Sequence, residues 1–121
     1  MDLGDLAGPV LIFGGPYSNL AATRAMQATA KSLGIPADQV FCTGDTVAYC
    51  AEPNATVAVL RDWGCHALMG NCEEALASEA ADCGCGFEAG TRCSTLSVEW
   101  YRFAKERLSP AERDWMGNLP R

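Results

Sequence analysis

The sequence has few basic residues, a single histidine and no long apolar run, and these shortages exclude several classes of function. Nine Lys and Arg stand against fifteen Asp and Glu, which gives a formal net charge of −6. Because phosphate backbones and anionic lipids would repel such a chain, we expect neither nucleic-acid binding nor membrane binding. No apolar stretch approaches the roughly 20 residues of a membrane-spanning helix. The acidic stretch from Met1 to Asp5 argues against a secretory signal, so a cytoplasmic protein is predicted.

What the chain does contain is an apolar composition rich in cysteine. Hydrophobic residues make up 49% of the 121 residues and charged residues 20%, which is typical of one globular domain with a core. Seven cysteines are many for this length, and the number is odd. In a reducing cytosol we expect thiols or metal ligands rather than a disulfide framework.

Short apolar runs alternate with helical segments in the first seventy residues. Buried strands are predicted over 10–13, 40–43 and 65–69, with helices over 20–33 and from Pro53 to Gly64. This alternation predicts an α/β fold with a parallel βαβαβ core over 1–72. The remainder, 73–121, is predicted to hold a helix over 73–81, a loop rich in Gly and Cys over 82–92, and helices over 96–108 and from Ser109 onward.

Two of the predicted strands end at a glycine that is followed at once by a polar residue. The second strand runs into Gly44-Asp45 and the third into Gly70-Asn71. Since the carboxyl ends of parallel strands open on a ligand crevice, we expect Asp45 and Asn71 to face one site. Taken singly, Asp45 could be a turn residue and Asn71 the N-cap of a helix. Glu73 and Glu74 would then favour the dipole of that helix.

The first predicted strand is followed by a glycine turn, Gly14 to Asn19. Such a turn can present backbone N–H groups to an anion, so Gly14, Gly15 and Asn19 are candidate phosphate-binding residues. The turn is neither a dinucleotide fingerprint nor a P-loop. A plain tight turn between strand and helix is the alternative.

The cysteines allow a metal site of their own. Cys72, Cys83, Cys85 and Cys93 fall in the loop-rich region, where four thiolates could form a structural zinc site. However, the spacing is not that of a zinc knuckle, and small buried residues are the alternative. Core packing is predicted for the other three cysteines, which lie in or beside strands: Cys42, Cys50 and Cys65. His66 is expected to be a satisfied core or edge histidine rather than a ligand.

Three stretches together carry a family pattern: Gly44-Asp45-Thr46-Val47-Ala48-Tyr49, Glu52-Pro53 after it and Gly70-Asn71-Cys72-Glu73 later. In these stretches the sequence resembles the calcineurin-like metallophosphoesterases. It is most similar to the small bacterial branch of phosphodiesterases and diadenosine-tetraphosphatase-like proteins. That branch carries Asp-x-His-Gly-Asn-Leu after its first strand, Gly-Asp-x-Val-x-Tyr-Gly after its second and Gly-Asn-His-Asp/Glu after its third. The resemblance runs from Val10 to about Pro120 and implies half of an αββα sandwich, the N-terminal half.

The resemblance also implies roles for single residues. Asp45 would be the carboxylate that bridges two metals (Mn, Fe or Zn), and Asn71 would bind the second metal. Gly15 stands where the family has its metal-binding aspartate, and Tyr17 stands where it has its histidine. Cys72 replaces the histidine that orients or protonates the phosphate. One metal at most is therefore expected, held by Asp45, Asn71 and Cys72.

A phosphoester hydrolase acting on a small phosphorylated molecule or nucleotide is expected for the whole protein, and this chain alone is expected to be inactive. One alternative is a phosphate- or nucleotide-binding module without catalysis. Another is a structural module with cysteine-bound zinc. Because half of a sandwich exposes a strand edge and apolar helix faces, self-association is predicted.

Overall fold

The computed structural model describes residues 2–121, which form a three-stranded parallel sheet and five α-helices. The strands are β1 (Leu11–Phe13), β2 (Val40–Cys42) and β3 (His66–Ala67), and they lie in the order β1-β2-β3. The helices are α1 (Leu20–Ser32), α2 (Pro53–Trp63), α3 (Asn71–Ala77), α4 (Arg92–Arg107) and α5 (Pro110–Gly117). The predicted α/β class with a parallel core is confirmed.

The helices between the strands begin and end at the residues that the sequence predicts. Asn19 Oδ1 accepts a hydrogen bond from Ala22 N at 3.0 Å and so caps α1. Pro53 is the first residue of α2, where its missing N–H costs nothing. Gly64 ends α2 with φ 73°, a left-handed conformation that glycine adopts without strain. The helices α1 and α2 pack side by side.

Several predicted boundaries are wrong, among them the end of α3, which stops at Ala77 and not at residue 81. β3 is shorter than predicted, although Leu68 N still donates to Cys42 O of β2, and the next residue, Met69, donates its N–H to Pro120 O. α3 begins two residues early, at Asn71, so Gly70 and not Asn71 stands at the N-cap position. α4 begins four residues early because Thr91 is its N-cap and accepts a hydrogen bond from Ser94 N.

The two faces of the sheet differ in burial. On one face Val40, Cys42 and Ala67 are buried. On the other, the strand register aligns Ile12 with Phe41 and Phe41 with His66. Residues aligned in this way point to the same face. Ile12 is 64% exposed, so the prediction of a buried first strand is wrong on this face.

The largest core lies beyond the sheet, where the second half of the chain packs on the β2–α2 loop. α3 and α5 pack together, and α4 lies against α2. Buried members of this core include Val47, Val57, Leu76, Trp100 and Met116. Val47 and Cys72 belong to the same core, so the loops that follow β2 and β3 are held in place by it. None of the helices in residues 2–121 has the length and apolar composition of a membrane-spanning segment.

Candidate functional site at the strand ends

The loops that leave β2 and β3 touch through two glycines. A Cβ added to Gly44 would lie 2.5 Å from Gly70 N, and one added to Gly70 would lie 2.5 Å from Asp45 Oδ1. No side chain fits between them, so both glycines are required by the close approach of the two backbones. The approach brings Asp45 and Asn71 to one place at the end of the sheet.

Asp45 is half-buried and lies in a left-handed conformation with φ 56°. Its Oδ1 accepts a hydrogen bond from Cys72 N at 3.3 Å, which links the β2 loop to α3. The thiol of Cys72 is 4% exposed. Its pKa is raised above the ordinary range by burial and by the neighbouring Asp45 carboxylate, so Cys72 is a neutral thiol at pH 7.

Asn71 connects this place to the cysteine-rich loop. Its Nδ2 donates to Cys83 O at 3.0 Å and lies 3.7 Å from Cys72 Sγ. Since a backbone carbonyl can only accept a hydrogen bond, the amide nitrogen of Asn71 must face Cys83 O. Asn71 Oδ1 then faces the other way and accepts no hydrogen bond from the described residues.

Glu73 has a role that the sequence did not predict. It is fully buried, and its carboxylate accepts from Asp45 N, Thr46 N and Gly70 N at 2.6–2.8 Å. Three backbone donors satisfy a buried charge that would otherwise be costly. Glu73 therefore links the two strand-end loops, and both of its carboxylate oxygens already accept backbone hydrogen bonds. The only sequence signal was its place directly after Gly70-Asn71-Cys72.

Four backbone N–H groups of the Gly14 to Asn19 turn already have hydrogen-bond acceptors within the chain. Tyr17 N donates to Asp45 O and Ser18 N to Thr46 O, at 3.1 and 2.8 Å. Gly15 N donates to Gly44 O and Asn19 N to Pro16 O. These four N–H groups are not free for an anion, so the phosphate-binding role of Gly14, Gly15 and Asn19 stays a prediction without support from this turn.

The ring of Tyr17 lies over Gly15. A Cβ on Gly15 would fall 2.6 Å from the Cε2 and Cζ atoms of Tyr17 and 2.9 Å from its hydroxyl oxygen. The ring therefore takes the space that an aspartate side chain at position 15 would need. Nor do three His, Cys, Asp or Glu side chains stand together to hold a metal anywhere in residues 2–121. The residues present do not fit a two-metal centre.

Aromatic side chains extend from the site towards α4. Tyr17 and Tyr49 meet edge to face with ring centroids 5.4 Å apart, and Tyr49 lies 5.5 Å from Trp100. Tyr49, Cys50, Leu96, Trp100 and Phe103 line a groove on the surface. Tyr49 is 49% exposed, and partial burial raises its pKa, so its hydroxyl stays protonated at pH 7.

The structure places the seven cysteines in different surroundings. Cys83 and Cys85 form a disulfide, Cys72 is buried and Cys93 is exposed, so this oxidised state has no set of four thiolates. The zinc site of Cys72, Cys83, Cys85 and Cys93 stays a prediction for the reduced chain. Cys42 is buried and Cys65 half-buried, as predicted, but Cys50 is exposed. The prediction of core packing for Cys50 is wrong, because its backbone N–H bonds in the loop to Tyr17 and its side chain lies at the surface.

His66 lies outside the site. Its ring stacks on Phe41 with centroids 5.0 Å apart, and its Nε2 lies 3.1 Å from Asp38 O. The expectation of a satisfied histidine near the sheet edge therefore agrees with its surroundings.

Comparison with known proteins supports the fold. The chain matches the crystal structure of a metallophosphoesterase from Sphaerobacter thermophilus with a TM-score of 0.60 and 20% identity, over 92% of this chain and 41% of that one. An uncharacterised protein of Methanocaldococcus jannaschii is 42% identical over 55 residues, which is 46% of this chain and 22% of that protein. No protein-family model matches the chain. The chain thus has the fold of part of a metallophosphoesterase and spans less than half the length of these proteins.

Proposed function

We propose that this chain carries the phosphate-binding part of a phosphoester hydrolase whose site holds one cation instead of two. The observation that supports this most is the position of Asp45 and Asn71 at adjoining strand ends whose glycines lie close together, as the motif resemblance implies. Asp45 accepts one backbone N–H at a carboxylate with about four acceptor positions. Asn71 Oδ1 is a second oxygen ligand of the kind that Mn²⁺ and Mg²⁺ prefer.

The charge of the site implies that phosphate binding depends on a cation. In the part of the chain that the structure describes, the ion pairs are Arg113 with Glu79 and Arg121 with Glu74, and neither involves Asp45. A phosphate beside an unpaired carboxylate would be repelled. A divalent cation between them would turn that repulsion into attraction. The ligand is a small phosphorylated molecule or a nucleotide.

A second candidate is a binding module without hydrolysis, and the ring of Tyr17 favours it. The ring fills the space of the aspartate that the family uses for its first metal. Two-metal catalysis needs both cations about 3.5–4 Å apart on the phosphate. If one of the two cations is excluded, two-metal hydrolysis is not possible. The site could then only bind phosphate or hydrolyse it by a different mechanism.

The test is calorimetric titration of the chain with a nucleoside monophosphate, with and without Mn²⁺. We expect binding only with Mn²⁺, and a loss of roughly tenfold or more in affinity, about 1.4 kcal/mol, in Asp45→Asn. The matched control is Asp62→Asn, which removes the same charge from an exposed position in the last turn of α2. Equal affinity without Mn²⁺, or in Asp45→Asn, would overturn the proposal.

Hydrolysis of bis(p-nitrophenyl) phosphate separates the two candidates. Turnover that requires Mn²⁺ and disappears in Asp45→Asn would support the hydrolase. Binding that requires Mn²⁺ but leaves the ester intact would support the binding module. Turnover that persists in Asp45→Asn would place the activity elsewhere and exclude both.

A further inference from the structure

We propose that the groove between the β2–α2 loop and α4 binds the base of a nucleoside phosphate whose phosphate group lies at Asp45. The groove, here called the aromatic groove, is lined mainly by Tyr49, Leu96, Trp100 and Phe103. This inference rests on the proposed one-cation site and deepens it, because it names the class of ligand and the residues that recognise the part of the ligand away from the phosphate.

The first argument is the size and composition of the aromatic groove. Its volume is about 460 Å³, which lies within the range of small-molecule sites. Three of its lining residues are aromatic, and Tyr49 and Leu96 are each 49% exposed, so their apolar surfaces are available to a ligand. Unpaired bases stack on the rings of Tyr, Trp and Phe, since every base has a flat π-face.

The second argument is that the aromatic groove adjoins Asp45. Tyr49 follows Asp45 by four residues, so their Cα atoms are at most about 14 Å apart. Tyr17 donates its N–H to Asp45 O, and its ring meets that of Tyr49 with centroids 5.4 Å apart. Burial raises the pKa of Tyr49, and the negative charge of Asp45 adds to this effect. The phosphate site and the aromatic groove are therefore neighbours, as the two ends of one nucleotide require.

The third argument is charge, which decides which end of the ligand enters the aromatic groove. Among the described residues that line it, Glu99 is the one that carries a charge. Glu99 takes no part in the ion pairs of residues 2–121. A phosphate would be repelled by this carboxylate, whereas a base is uncharged. The carboxylate can also accept a hydrogen bond from an amino group on the edge of a base.

The experiment is calorimetric titration of the whole chain, with Mn²⁺ present, against adenosine monophosphate (AMP) and against ribose 5-phosphate, which has the same sugar and phosphate but no base. We expect AMP to bind roughly tenfold or more tightly than ribose 5-phosphate because of stacking. Equal affinities would show that the base makes no stabilising contact and would overturn the inference.

Substitution of the rings places the contact in the aromatic groove. Tyr49→Ala and Phe103→Ala should each weaken AMP binding roughly 5- to 100-fold and leave the affinity for ribose 5-phosphate unchanged. Phe103 lies in α4, where alanine is well tolerated, so this variant serves if Tyr49→Ala, at a φ of 38°, does not fold. The matched control is Phe87→Ala, which removes an exposed ring outside the groove and should bind AMP as the wild type does. Unchanged AMP affinity in both groove variants would overturn the inference.

The unsubstituted chain offers a second measurement through Cys50. This residue is exposed and lines the aromatic groove. In the presence of Mn²⁺, AMP should therefore slow the alkylation of Cys50 by iodoacetamide, and ribose 5-phosphate should not. Equal protection by the two ligands, or protection by neither, would count against a base in the groove.

The outcomes separate this inference from the proposed function. If AMP and ribose 5-phosphate bind equally and only with Mn²⁺, the base contact is wrong and the one-cation site stands. If AMP binds equally well without Mn²⁺, the one-cation site is wrong, and so is the phosphate position proposed here. If neither ligand binds, both proposals are wrong. A change of oligomeric state in Tyr49→Ala, with AMP affinity unchanged, would indicate a protein in the groove instead and overturn the inference.

Discussion

The carboxylate of Glu73 joins three backbone N–H groups that come from two different strand-end loops. Its neighbour Glu74 is exposed and pairs with Arg121 at the surface. The sequence gives both residues the same description, two acids in the first turn of a helix. In the structure their surroundings differ, because consecutive side chains point in different directions around a helix. The Glu73 carboxylate meets backbone N–H groups, and the Glu74 carboxylate lies in solvent.

Glu73→Gln should therefore lower the free energy of unfolding by roughly 2–4 kcal/mol, because an amide can accept at its oxygen but would place its NH₂ against a backbone donor. Urea unfolding followed by circular dichroism measures this. The matched control, Glu74→Gln, should change the free energy of unfolding by less than about 1 kcal/mol. Equal effects of the two substitutions would contradict the structural role of Glu73.

The thiols of Cys42, which is buried, and Cys65, which is half-buried, allow a second prediction at the scale of single residues. Burial raises the pKa of Cys42 to about 12 and that of Cys65 to about 11. Since the thiolate is the reactive form, iodoacetamide at pH 8 should label the exposed Cys50 and Cys93 and leave Cys42 and Cys65 unmodified. Mass spectrometry of peptides reads this directly. Labelling of Cys42 as fast as Cys50 in the folded chain would contradict it.

The same pKa values set the sign of a pH effect on stability. Above the ordinary thiol pKa of 9.0, the unfolded chain loses protons that the folded chain keeps. Stability contributed by these thiols is therefore fully present below about pH 9 and decreases as the pH rises through 11 and 12.

At the scale of elements, the turn after β1 and the loop after β2 form one unit. Tyr17 N and Ser18 N donate to the β2–α2 loop, and Cys50 N and Glu52 N donate back to Tyr17 O and Ser18 O. Tyr17, Ser18, Asp45 and Tyr49 all have positive φ, and these four lie in this unit. Left-handed conformations of ordinary residues cost energy, so the hydrogen bonds between the two segments hold a backbone that neither would adopt alone.

Introducing the metallophosphoesterase pattern into the β1–α1 turn should change metal stoichiometry. In a Gly15→Asp, Tyr17→His double variant, the ring that fills the space over position 15 is replaced by a ligand, and aspartate tolerates the φ of 61° better than most residues. We expect one more Mn²⁺ per chain than in the wild type, measured by elemental analysis after gel filtration. Gly15→Asp alone, with Tyr17 still in place, is the control and should bind no additional Mn²⁺. An unchanged stoichiometry in the double variant would show that Tyr17 is not what excludes the second cation.

At the scale of the whole molecule, one face of the sheet is only partly covered by the described residues, since Ile12 is exposed while Phe41 and His66 are half-buried. Ile12, Phe41 and His66 form a row across the three strands on this face. β1 and β3 are also the two edges of the sheet. An apolar face beside open edges favours association with a second sheet.

We therefore expect the chain to self-associate at micromolar to millimolar concentration, as seen by light scattering. Ile12→Lys should shift it towards the monomer because a charge would be buried at the sheet face. Val98→Lys is the matched control, since Val98 is as exposed as Ile12 but lies on α4. A monomeric wild type, or an equal effect of the two variants, would contradict association through this face.

Much of the fold followed from local chemistry. The alternation of apolar runs and helices determined the parallel βαβαβ order, and Pro53, Gly64 and Ser109 marked helix ends that the structure confirms. Gly44-Asp45 and Gly70-Asn71 indicated the strand ends in the same way. These features are readable because a cap, a proline or a glycine acts within a few residues of where it stands.

The composition of the site was decided by contacts between distant segments. That Tyr17 covers Gly15, that Glu73 joins both loops, and that Asn71 reaches Cys83 are facts of packing. The sequence alone left Glu73 equivalent to Glu74 and Cys50 equivalent to Cys42. Hydrogen bonds and burial depend on which surfaces meet, and that is set only when the two halves of the chain close on each other.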